Sequence, residues 1–178
     1  MKSLALLRHA KSDWDDIALR DFDRGLNDRG RRGAAAIGRH IRNYGWKCDA
    51  VIASPAERVK RTIEASGLDI EPSYDERLYL ADALTLISVL REIDGDPDRV
   101  LLVGHNPGLQ ELVFRLAEKE GEDDELLSRA AEKFPTASLA VLSCDIPSWA
   151  DLVPGCAKLV HFARPRDLDP ELGPEKVR

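Results

Sequence analysis

The chain has 178 residues and a mass of 19.8 kDa, 43% hydrophobic and 33% charged, a balance that excludes disorder as the dominant state and supports one sizeable core. Its 26 Lys and Arg against 32 Asp and Glu leave a formal net charge of −6, which argues against wholesale coating of nucleic acid or an anionic membrane. No apolar run approaches the ~20 residues of a membrane-spanning helix. The three cysteines, Cys48, Cys144 and Cys156, are odd in number and not tightly spaced, a pattern of reduced thiols rather than of a disulfide framework.

In chain order, short segments rich in Leu, Val and Ile alternate with longer amphipathic ones, the pattern of α/β layers. Residues 3–7 read as a first strand that runs into Arg8-His9, without the cleavage pattern of a signal peptide, so the expected compartment is the cytosol. Asn27 is a plausible cap for a helix carrying Ala34, Ile37 and Ile41 and stopped by Gly45. A strand at 50–53 leads to Ser54 as cap and Pro55 as first residue of a second helix reaching Ser66-Gly67. A third helix is expected over 83–93, a strand over 100–103, and a helix with the stripe Leu109, Leu112, Val113 and Leu116. The acidic run 118–125 reads as a solvated loop, and strands follow at 139–142 and 158–162. The whole is expected to be one domain over 1–164, a three-layer α/β/α structure around a mostly parallel sheet, followed by an extended, Pro-containing charged tail at 165–178.

Ligands of open α/β sheets bind beyond the carboxyl ends of the strands. Arg8-His9 follows one strand, Ser54-Pro55-Ala56-Glu57-Arg58 a second, and Gly104-His105-Asn106-Pro107-Gly108 another. Two guanidinium forks and two imidazoles at one cleft suit a phosphoryl group, and an imidazole nitrogen without its proton is a competent nucleophile toward phosphorus. Each motif alone has a bland reading as a surface charge or turn residue; their joint occurrence is the signal. Cys156 and His161 lack a second pair at zinc-ligand spacing, and Ser54 is not in a Gly-x-Ser-x-Gly elbow. No metal and no cofactor are expected.

These three motifs, with Thr62, resemble the histidine phosphatase (phosphoglycerate mutase-like) superfamily. Arg8-His9-Ala10-Lys11-Ser12-Asp13-Trp14, Asp21-Phe22-Asp23-Arg24, Asp75-Glu76-Arg77-Leu78-Tyr79 and Phe134-Pro135-Thr136 resemble its short SixA-type phosphohistidine phosphatases. The resemblance implies His9 as a transiently phosphorylated nucleophile and Arg8, Arg58 and His105 as holders of the phosphoryl oxygens. It implies Glu76, or Asp82, as proton donor, and Lys11, Ser12, Asn106 and Thr136 as substrate contacts. Ala10 and Lys11 replace the superfamily's usual Gly and acidic residue, adding positive charge beside the pocket. Asp15 stands where mutases carry a substrate-touching Asn, which disfavours sugar bisphosphates. The resemblance thus points to a phosphohistidine-bearing protein as substrate. A small-molecule phosphatase or mutase and a non-catalytic phosphohistidine-binding module are the alternatives.

Overall fold

The computed structural model describes residues 1–118 and 124–174. Its six-stranded sheet comprises β1 (Lys2–Arg8), β2 (Ala50–Ala53), β3 (Pro72–Tyr74), β4 (Arg99–Gly104), β5 (Leu139–Cys144) and β6 (Ala157–Ala163), in the spatial order β3-β2-β4-β1-β5-β6. The first four positions pair in parallel, while β5 is antiparallel to both β1 and β6. All strands but β5 therefore run in one direction, as the mostly parallel reading expects.

Continuous apolar strands follow from having both faces covered. Leu4 and Leu6 of β1 face one core with Leu102 of β4; Ala5 and Leu7 face the other with Leu101 and Val103. The first face is covered by α3 (Ala83–Arg91), α4 (Gly108–Leu116) and α5 (Glu125–Glu132), the second by α1 (Asp28–Tyr44) and α2 (Glu57–Ser66). Burying a Leu in such a core contributes about 1.5–3 kcal/mol relative to leaving it in water. Asn27 caps α1 by accepting from the Gly30 amide, and Gly45 ends it at φ 78°. Gly38 has no room for a side chain, since a Cβ there would stand 1.9 Å from the Ser66 carbonyl oxygen; this is how closely α1 approaches α2.

Four expectations are corrected. Helix α2 starts at Glu57, with Ala56 as its cap, and the Ser54 hydroxyl oxygen accepts from His105 and from the Ala56 amide ahead of it. Helix α3 stops at Arg91 rather than at 93. Strand β3, only three residues long and beginning with Pro, and helix α5, entered through the capping side chain of Asp124, are additional elements. The tail is not extended over 165–174. It forms α6 (Pro165–Leu168) and a 3-10 turn at Pro170–Leu172 that pack on α1, where Arg29 donates to the carbonyls of Glu171 and Gly173 and Arg32 pairs with Glu171 at 2.7 Å. Residues 119–123 of the acidic run and 175–178 of the tail lie outside the described residues. Among the described residues, no helix is long and apolar enough to cross a membrane.

Candidate active site

Arg8 is the last residue of β1, His105 follows β4, and Arg58 lies in the first turn of α2 just beyond β2, so three neighbouring parallel strands deliver them to one edge of the sheet. His9, Arg58 and His105 are all buried, and the two imidazole centroids lie 5.2 Å apart. Backbone bonds fix the junction: the His9 amide donates to the Gly104 carbonyl at 3.0 Å, and the Ala137 amide donates to the carbonyls of Arg8 and His9. Thr62 ties α2 to the same loop, donating to the Arg58 carbonyl at 2.7 Å while accepting from the Ala10 amide at 2.8 Å.

The partners of each ring determine its tautomer. His9 Nδ1 lies 2.7 Å from the Ala10 carbonyl oxygen, which can only accept, so Nδ1 carries the proton and Nε2 keeps its lone pair. His105 Nδ1 lies 3.3 Å from Arg58 Nη2, a donor, so its proton resides on Nε2 and is donated to Ser54 Oγ at 2.7 Å. Burial, reinforced by Arg58 and Arg8 and opposed by the Ala10 bond, pushes the His9 pKa down to about 4. Burial, then His9 and Arg58, push that of His105 down to about 3. Both rings are therefore neutral at ordinary pH.

The arginines differ in their commitments. Arg58 donates to the Asp21 carbonyl at 2.8 Å and its carboxylate at 3.0 Å. Arg8 donates through Nη1 to the Phe134 carbonyl at 2.9 Å, and its buried Nε has no hydrogen-bond partner. A buried, unpaired guanidinium donor beside an imidazole lone pair is an arrangement that an oxyanion completes.

The remaining sequence candidates divide. Ser12 Oγ accepts from the Trp14 indole at 2.9 Å and keeps its O–H to donate. Asn106 is committed to the backbone, donating to the Phe134 carbonyl at 3.0 Å and accepting from the Gln110 amide at 3.2 Å. Lys11 and Thr136 line an adjoining cavity. Glu76 is exposed and makes no hydrogen bond or ion pair with the cluster among the described residues; Arg77 pairs with Asp75 and Glu92 instead. Asp82 caps α3 through the Thr85 amide.

The carboxylate that does reach the site is Asp21, which the sequence shows only within a motif of the SixA-type branch. Burial alone would raise its pKa, but the Tyr79 hydroxyl and the Arg58 guanidinium outweigh burial and hold it below the usual carboxylate range. Tyr79 also packs edge-on against His105 at 5.4 Å.

Comparison with known proteins agrees with this geometry. The model of the histidine phosphatase superfamily (branch 1) matches residues 4–79. An uncharacterised Mycobacterium tuberculosis protein is 40% identical over 160 residues, covering 90% of this chain and all of that protein. A structure assigned to the phosphohistidine phosphatase SixA of Nakamurella multipartitia superposes with a TM-score of 0.82 at 28% identity, covering 92% of this chain and 96% of the other. One assigned to SixA of Agrobacterium tumefaciens gives 0.72 at 30% identity, covering 91% and 97%. The chain belongs to the histidine phosphatase superfamily. Within it, the similarity is to the SixA group, and its class is that of a phosphatase.

Proposed function

We propose that this phosphatase dephosphorylates phosphohistidine on a protein, without a metal ion, through a covalent intermediate on His9. The observation that carries the reading is the locked neutral tautomer of His9, whose Nδ1 proton is held by the Ala10 carbonyl while Nε2 remains a nucleophile. Nε2 attacks phosphorus as the bond from phosphorus to the leaving nitrogen breaks, and water then cleaves the phosphoryl-His9 bond to release inorganic phosphate. Arg8 and Arg58 receive the phosphoryl oxygens, while neutral His105, its one proton donated to Ser54 Oγ, positions Arg58 through the lone pair on Nδ1; in comparable sites the loss of one preorganised donor costs about 10²–10³ in rate.

The leaving group favours phosphohistidine. An imidazole departing from a labile P–N bond needs less help from a general acid than an alkoxide does. Asp21, the carboxylate in contact with Arg58, is held ionised and stores no proton to give. The likeness to the two SixA-assigned structures, each near 30% identity, supports the same substrate class.

Phosphate release from a phosphohistidine protein and from p-nitrophenyl phosphate, measured in chelator, tests the reading. The wild type should turn over both, preferring the protein, and His9→Ala should lose at least 10³-fold, on the scale of a lost nucleophile. Preference for a small phosphorylated metabolite would assign it to small molecules. Phosphate binding without turnover would make it a binding module.

A further inference from the structure

A cavity of about 310 Å³ adjoins the site, sharing Ala10 with the His9 loop and Ala137 with the segment that braces it. Four cations line it, Lys11, Arg29, Lys133 and Arg166, and no acidic side chain does among the described residues. They come from four separate places: the loop after β1, α1, the end of α5, and α6. None of the four forms an ion pair with a carboxylate among the described residues, although most arginines elsewhere in the chain do. Arg29 is held by backbone carbonyls alone. In a chain of net charge −6, such a concentration of uncompensated positive charge requires a reason.

We propose that this cavity is a second anion site that binds carboxylates of an acidic segment flanking the phosphorylated residue of a protein substrate. The proposal rests on the protein-substrate reading and names its specificity. Convergence of cations from four elements, rather than one compact fork, suits several carboxylates displayed along a chain. Gly30 and Gly33 of α1 line the cavity, Gly30 where the Lys11 backbone approaches too closely for a side chain, and Leu172, Gly173 and Pro174 of the docked tail form one wall. The docked tail therefore has a use: it completes the site.

Two measurements test this separately from catalysis. Binding of an unphosphorylated hexaglutamate peptide to the wild type should weaken about three- to tenfold in Lys133→Gln/Arg166→Gln and measurably in Lys133→Gln alone, an exposed position whose change leaves the fold intact. With phosphohistidine peptides, the ratio of kcat/KM for acidic over neutral flanks should fall by the same factor through KM. Peptide binding lost in the variants without any phosphohistidine turnover would keep the subsite and reject the substrate. No binding to the wild type, equal binding to all three proteins, or displacement by pyrophosphate far better than by peptide would overturn the proposal.

Discussion

His9 and His105 both sit below the pH range in which imidazoles normally titrate, and this has two measurable consequences. The first is kinetic. Protonation removes the Nε2 lone pair, so kcat/KM should fall on the acid side with a midpoint near pH 4, the value set by burial and the two arginines, rather than near 6.5. A midpoint at 6.5 would contradict the buried, arginine-flanked environment. The second is thermodynamic. Above pH 6.5 both folded and unfolded chains carry these rings neutral and no difference arises; as pH falls from 6.5 toward about 4, the unfolded chain binds protons that the folded one refuses, so stability declines. The melting temperature of His9→Asn should fall less steeply across that interval than that of the wild type. The identity of these residues was legible in sequence because charged and nucleophilic groups followed strands. The commitments of Asn106 and Asp21 were not, because each is decided by a partner far away in the chain or by a backbone carbonyl that no pattern marks.

The loop between β1 and α1 depends on a buried arginine. Arg24 donates to the carbonyls of Asp13, Asp16, Ile17 and Leu19 and lies 3.9 Å above the Trp14 ring. The sequence marks Arg24 only within the Asp21-Phe22-Asp23-Arg24 motif, and composition, which places arginines at the surface, gives no sign of this role. Arg24→Met removes the donors while leaving the carbonyls in place. It should cost roughly 2–3 kcal/mol and open residues 13–20 to proteolysis before the rest of the chain; a protease pattern unchanged from wild type would show that the loop holds without it. The helices were easier to read. Their apolar stripes set α1, α3 and α4 within a few residues, whereas β3 and α5 are too short and too polar to impose a period, and α6 depends on docking against α1. Gly38 shows the same division. The residue is visible, but its purpose is the Ser66 carbonyl across the helix interface. Gly38→Ala must push α1 off α2 and should lower stability by about 1–3 kcal/mol in denaturant titration, well beyond the gain in helix propensity.

At the scale of the whole molecule, the alternation of strands and helices implies the layers, while the strand order, with β4 and β1 at the centre, comes from the structure. What alternation cannot show is that β5 alone runs against the others, since a buried antiparallel strand has the same composition as a parallel one. The central position of β1 carries a consequence for how the enzyme fails. Its backbone is hydrogen-bonded to β4 on one side and β5 on the other, and its residues Leu4 to Leu7 have no exposed surface. Such a strand opens only when the entire fold does. Inactivation on heating should then coincide with global unfolding, and the amides of β1 should be among the slowest to exchange with deuterium. The nucleophile is anchored in the segment of the chain least able to breathe.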